Sequence, residues 1–281
     1  MRFLVFGAGG AQGGVVARRL ADEGYAVRGL SRAGAAPEGV EPFRADLGDA
    51  ARVAEAFTGV THASVVLPLE FEPGRVAAYV RHVVDAAKAA GVRRLVFCTG
   101  NRLPVDETGV AAFETRRAAA RAMLESPVPS VVLCPPLYLE NLAAPWVRDG
   151  LAAEGVLRYP VPAGVPVAWL SHADLAAATL AALTRDGLEG ATLDLGGEPV
   201  TGPELAAAFG ARYEGVDVDA FEAGLAAAAG ARTAAGVAST YRWVADRGHD
   251  LYAAPSGGAE RLGITVTSPA AWAAARPWVT A

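Results

Sequence analysis

Five glycines in eight residues, in the run Gly7-Ala8-Gly9-Gly10-Ala11-Gln12-Gly13-Gly14, are the first place where residue type and spacing could do chemistry. A turn without side chains can close on a phosphate and offer it backbone N–H groups. The spacing Gly-x-Gly-x-x-Gly fails here, because its third glycine would fall on Gln12. Gly-x-x-Gly-x-x-Gly is filled by Gly7, Gly10 and Gly13, which moves the close helix-to-strand contact along to Gly13. The apolar run RFLVF at 2–6 predicts a buried strand before the glycines. After them, residues 12–23 place Val16 and Leu20 on one helical face, and 25–30 (YAVRGL) predict a second strand. Strand, glycine turn, helix and strand together are the context in which such a turn binds a dinucleotide pyrophosphate. Gly7, Gly9, Gly10, Ala11, Gln12 and Gly13 are the residues expected around it.

The end of the second strand bears on which dinucleotide. An acid there accepts bonds from a ribose 2′-hydroxyl, whereas a 2′-phosphate needs a cation. Here the strand runs into Ser31-Arg32, with no acid before Glu38. Arg32 can bond a phosphate bidentately and Ser31 can add a hydroxyl donor, so NADP(H) is expected over NAD(H).

The elements that must position these residues follow in order. Residues 43–47 predict a third strand ending near Asp46, whose carboxylate could take a bond from adenine while Leu47 lines the pocket. Asp49 is the better cap for the helix over 49–57. A fourth strand over 61–67 stops at Pro68, which turns the chain over the carboxyl ends of the strands. A helix over 75–90 is capped by Gly91, and a fifth strand over 94–98 leads into Thr99-Gly100-Asn101. A helix over 114–125 and a sixth strand over 130–134 follow, and the latter breaks at Pro135-Pro136. Ser171 and Asp174 cap a helix carrying Leu175, Thr179 and Leu183. Thr201 with Glu204 forms a second capping box, and short strands are expected over 156–159 and 191–195. The fold class is α/β, a doubly wound parallel sheet of Rossmann type with a smaller C-terminal α+β lobe. The cofactor domain is expected over 1–140, with 171–196 returning to it, and the smaller substrate lobe over 141–170 and 197–281.

GAGGAQGGVVARRL, YAVRGLSR, ADLGD, VVDAAKAAGVRRLVF and PPLYLENL, in that order, resemble the NmrA-like branch of the atypical short-chain dehydrogenase/reductases. The resemblance extends to about residue 205 through WLSHADLAAATLAAL and GATLDLGGEPVTGPELAAAF. It implies NADPH-dependent quinone reductases or NADP-sensing regulators. The larger superfamily uses Tyr-x-x-x-Lys as its proton-donating dyad. The one lysine here is Lys88, four residues after Val84, so that dyad does not exist in this chain. The resemblance carries the ribose-binding lysine position to Arg116, with Arg117 as the alternative, and the catalytic serine position at the end of the fifth strand to Thr99 or Gly100, of which only Thr99 offers a hydroxyl. Tyr138 and Asn141 match the family's Tyr-x-Glu-Asn, where Pro136, Leu137 and Tyr138 flank the nicotinamide. Tyr138 is open to two readings, shaping the acceptor pocket or donating a proton. His172 is expected to pack at a helix cap.

The chain has 281 residues, a net charge of −5 and 52% hydrophobic residues, enough for a sizeable core. With no basic stripe, nucleic acid and an anionic membrane surface are not expected partners. The amino terminus enters a strand directly and no long apolar run exists, so a cytoplasmic location is expected. Cys98 and Cys134 are expected to be small buried side chains, and the four histidines show no metal-ligand spacing. Leu67, Pro68, Leu69, Leu137 and Tyr138 suggest a pocket for a small apolar or conjugated ligand. Two functions stay open: a reductase of a quinone or enone, and a non-catalytic sensor of the NADP redox state. An epimerase is disfavoured, because its chemistry needs the tyrosine base. The oligomeric state is not legible.

Overall fold

The computed structural model describes residues 1–253 and 257–276. The chain runs β1 (Arg2–Phe6), α1 (Ala11–Asp22), β2 (Ala26–Ser31), β3 (Glu41–Arg44), α2 (Ala50–Ala56), β4 (His62–Val66), α3 (Pro73–Ala89), β5 (Arg94–Cys98), α4 (Ala111–Leu124) and β6 (Ser130–Cys134). A 3-10 turn over Leu139–Ala143 leads to α5 (Pro145–Glu154), β7 (Val156–Tyr159), α6 (His172–Thr184), β8 (Thr192–Asp194), α7 (Gly202–Ala207), β9 (Arg212–Gly215), α8 (Val218–Ala229) and α9 (Ala231–Asp246). Two short helices close the described chain, α10 (Gly257–Arg261) and α11 (Pro269–Ala274).

Seven parallel strands form one sheet in the order β3-β2-β1-β4-β5-β6-β8. The order reverses direction between β1 and β4, so the chain leaves both at the crevice where ligands bind in doubly wound sheets. Apolar clusters lie on both faces. Phe6, Val65, Val83, Phe97 and Met123 belong to the one shared with α2, α3 and α4, while Val5, Leu20, Val96, Leu133 and Leu175 belong to the one shared with α1 and α6. β5 and β6 are buried along their whole length, the expected state for central parallel strands covered by helices.

The glycine turn behaves as its spacing implies. Gly7 has φ +69°, a left-handed conformation that favours glycine. A Cβ on Gly13 would lie 2.4 Å from the Gly7 carbonyl oxygen and 2.5 Å from that of Phe6, so only glycine lets α1 approach β1 this closely.

One strand differs from expectation. β3 covers Glu41–Arg44 rather than 43–47, because β2 ends at Ser31, opposite Arg44, and turns away at Gly34 with φ +72°. Ala45 keeps one bond to the Ser31 carbonyl at 3.2 Å, and Asp46 and Leu47 then run past the sheet edge.

A third apolar cluster joins Leu139, Leu142, Val147, Leu157, Tyr159, Trp169, Tyr241, Val244 and Trp272, beside the two-stranded parallel sheet β7–β9. It lies in the segments expected to form the smaller lobe, while α6 and β8 pack with the main sheet. Residues 254–256 and 277–281 of that expected lobe lie outside the described residues. Helix α8 buries none of its own residues and rests on α9 through Phe221 against Tyr241 and through ion pairs from Arg242 to Asp219 and Glu222. Among the described residues no helix is long and apolar enough to cross a membrane.

Candidate active site

Two cavities open at the carboxyl ends of the strands. The first, of about 350 Å³, brings together Gly7, Gly9, Gly10, Ser31, Arg32, Asp46, Leu47, Leu67 and Pro68, with Ala33, Ala35 and Tyr79 besides. The second, of about 270 Å³, is lined by Gln12, Leu67, Leu69, Thr99, Asn101, Arg116, Pro136, Leu137, Tyr138 and Asn141, and by Val237, Thr240 and Tyr241 of α9. Val66 and Leu67 line both, so the cavities share a wall. Of the expected residues, Ala11 and Gly13 line neither, and Gly13 is spent on the close approach of α1 to β1.

The first cavity has the features of an anion cradle. Helix α1 starts behind Gly10 with no side-chain cap and no acid in its first turn, which leaves its N-terminal N–H groups and dipole for a ligand. At the far end, Arg32 is exposed and also borders a recess of about 470 Å³ with Arg44, Asp46, Asp49 and Arg52. Arg44 donates from Nε to the Arg32 carbonyl at 3.2 Å, and Arg52 donates to the Arg44 carbonyl at 2.9 Å while pairing with Glu55. Sequence reading missed Arg44 and Arg52, because only the folded sheet sets Arg44, at the end of β3, opposite Ser31. Ser31 itself donates its hydroxyl to the Ala35 carbonyl at 2.7 Å, which uses the proton expected for a phosphate. Asp46 accepts the Gly48 N–H at 2.8 Å, and Asp49 caps α2 through Arg52 N–H at 3.0 Å, so Asp46 is not the helix cap.

The second cavity contains hydroxyls that are already engaged. Thr99 donates to the Asn101 carbonyl at 2.6 Å and lies 3.2 Å from that of Leu133. Tyr138 is buried, donates to Gln12 Oε1 at 3.3 Å and sits 3.6 Å from Cys98 Sγ. Burial pushes its phenol well above the ordinary pKa, which makes it a poorer proton donor. Its ring meets His172 edge-on at 4.7 Å. His172 is a packing residue: burial holds its pKa below the usual value, and its backbone N–H goes to Glu140 at 2.9 Å. Asn141 donates to Tyr159 Oη at 3.0 Å.

Arg116 is 5% exposed. Its guanidinium donates to the Pro68 carbonyl at 2.6 Å and the Glu70 carbonyl at 3.0 Å, pinning the loop after β4. It lines the second cavity and not the first. Pro136 and Leu137, the residues expected to flank the nicotinamide, line this second cavity with it. Lys88 is exposed at the end of α3. Both cysteines are free and buried, with thiols pushed up by burial, Cys134 to about 12. No group of three or more potential metal ligands occurs among the described residues.

A family model, that of the NmrA-like family, matches residues 1–219. The chain belongs to the NmrA-like family. This NmrA-like chain is 36% identical over 242 residues, 80% of either protein, to the (4-alkanoyl-5-oxo-2,5-dihydrofuran-3-yl)methyl phosphate reductase of Streptomyces griseus. Its fold resembles a nucleoside-diphosphate-sugar epimerase from Staphylococcus aureus, at 20% identity and a TM-score of 0.78, covering 97% of this chain and 99% of that one. It also resembles the triphenylmethane reductase of Citrobacter sp. complexed with NADP(H), at 21% identity and a TM-score of 0.76, covering 95% and 97%. The first cavity lies wholly within the matched NmrA-like segment. The second borrows one wall, on α9, from beyond it.

Proposed function

We propose that this chain is an NADPH-dependent reductase of a small conjugated acceptor, an enone or a quinone. The observation that carries the reading is the pair of cavities meeting at Leu67, one shaped for a dinucleotide and the other largely apolar. The residues fit NADP(H): a glycine turn a Cβ would obstruct, an uncapped helix N-terminus for the pyrophosphate, and Arg32 with Arg44 and Arg52 at the end where a 2′-phosphate would lie. Asp46 and Leu47 would face the adenine, and Leu67, Pro68, Pro136 and Leu137 would flank the nicotinamide. Bound there, NADPH would supply a hydride. The segments around the third apolar cluster would act as the substrate lobe, closing the second cavity with α9. The likeness to a reductase of an unsaturated lactone phosphate supports the conjugated-acceptor class.

The sensor reading keeps one observation in its favour, since the hydroxyl protons of Thr99 and Tyr138 are committed to protein acceptors. Reduction of a conjugated system tolerates this, because it yields a stabilised anion that water protonates. The test is NADPH oxidation, followed by nicotinamide absorbance, with a panel of quinones, enones and unsaturated lactones. Turnover with at least one acceptor class is expected. Intact NADPH binding with no turnover across the panel would replace the reductase by the sensor.

A further inference from the structure

Arg116 is a buried cation facing a largely apolar cavity, and no carboxylate among the described residues forms an ion pair with it. Its partners are the Pro68 and Glu70 carbonyls, at 3.5 Å Thr115 Oγ1, and the Phe71 ring, whose centroid lies 5.7 Å from the guanidinium carbon. The neighbouring Glu70 gives its carboxylate to Arg75 at 2.9 Å and to the N–H groups of Phe71 and Glu72. A buried charge is costly unless something offsets it, and an arginine offers five donors. The two carbonyls and Thr115 engage three, with the guanidinium held in place rather than free to swing. Leu67, Leu69 and Leu137 line the same cavity.

We propose that Arg116 is the catalytic cation of the acceptor site, lying against the acceptor's carbonyl oxygen and stabilising the oxyanion formed on reduction. The proposal rests on the reductase reading. Hydride, with its two electrons, forms a C–H bond at the far carbon of the conjugated C=C–C=O unit. The π pair shifts along the chain, C=O becomes C–O⁻, and the nicotinamide is oxidised. A proton from water then completes the product. A cation held in place beforehand favours the charge where it develops, and it answers the missing Tyr-x-x-x-Lys without any side-chain acid. Burial draws the guanidinium down to about 10, so the cation persists at neutral pH.

The ground-state mimic of such an oxyanion is 4-nitrophenolate, whose visible absorbance reports its own ionisation. Titrated into the wild-type protein with NADP⁺ across a pH range, bound nitrophenol is expected to ionise at least one pH unit lower than in buffer, a tenfold or greater preference for the phenolate. Arg116→Lys should keep most of that preference and Arg116→Gln should lose it. Circular dichroism checks the fold of each variant. Should Arg116→Gln fail to fold, the wild type still decides, because a bound probe ionising as in buffer overturns the proposal. So does an unchanged preference in a folded Arg116→Gln. Phenyl phosphate binding more tightly than nitrophenolate, through Arg116, would assign the residue to a fixed anionic group and overturn the oxyanion role. NADPH affinity, read by nicotinamide fluorescence in the same samples, tests the cofactor reading separately.

Discussion

Three guanidinium groups, from Arg32, Arg44 and Arg52, border one recess at the adenosine end of the first cavity, although Arg52 pairs with Glu55 and only Arg32 of the three also lines the cavity itself. A 2′-phosphate at this place would bond most directly to Arg32, with Arg44 adding a second charge across the loop. Arg32→Ala is therefore expected to lower NADPH affinity by on the order of 1–3 kcal/mol while leaving NADH affinity nearly unchanged. Titration calorimetry with both cofactors checks this, and equal losses for the two would remove the 2′-phosphate assignment. Arg32 was legible in the sequence because strand, serine and arginine are contiguous. Arg44 was not, since its relevance comes from lying opposite Ser31 across two strands. Ser31 illustrates the reverse case: its type suited a phosphate, but the local turn takes its proton for Ala35. Thr99 and Tyr138 are similar, with residue identity readable and hydrogen-bond direction set by neighbours remote in sequence.

At the scale of elements, the contact between α1 and β1 decides whether the cofactor turn exists. Gly13→Ala would set a methyl against two carbonyl oxygens and force the helix outward, at a cost of about 1–3 kcal/mol in stability. The displaced turn should lose NADPH binding by a larger factor than stability alone explains. Denaturant unfolding and cofactor titration on the same variant measure the two effects, and normal binding would mean that the turn does not cradle the pyrophosphate. β1, β5, β6 and β7 were readable to the residue, because uninterrupted apolar or β-prone runs end at glycine, proline or hydroxyl residues. β3 was misjudged because the length of an edge strand depends on where its neighbour stops. Helix α9 escaped notice altogether: nothing in its own residues tells that Val237, Thr240 and Tyr241 close a cavity formed by the sheet. Gly236, whose added Cβ would lie 2.0 Å from the Phe71 ring, marks that contact only once both segments are folded.

Across the whole molecule, two buried histidines contribute to the behaviour in acid, beside carboxylates such as Glu41 and Glu114 that their partners hold below the usual range. Burial, followed by the charges of Arg93 and Arg94, lowers His62 from 6.5 to about 4, and burial lowers His172 as well. Both are neutral in the folded protein and take up protons more readily when unfolded. Their contribution to stability is therefore complete above pH 6.5 and is lost as pH falls toward 4, with His62 accounting for roughly 3 kcal/mol at most. Melting temperatures between pH 7 and pH 4 should fall, and His62→Gln should flatten that fall; an identical slope in the variant would show that His62 is not responsible. Helix α8 has a different bearing on the molecule. None of its residues is fully buried, and it is held through Phe221, which meets both Trp146 and Tyr241, and through the pairs of Arg242 with Asp219 and Glu222, so it exposes no fully buried residue of its own by coming away from α9. Its amide protons accordingly belong to the fast-exchanging end of the spectrum, where opening is local and nearly free, while those of β5 and β6 wait for the chain to unfold globally.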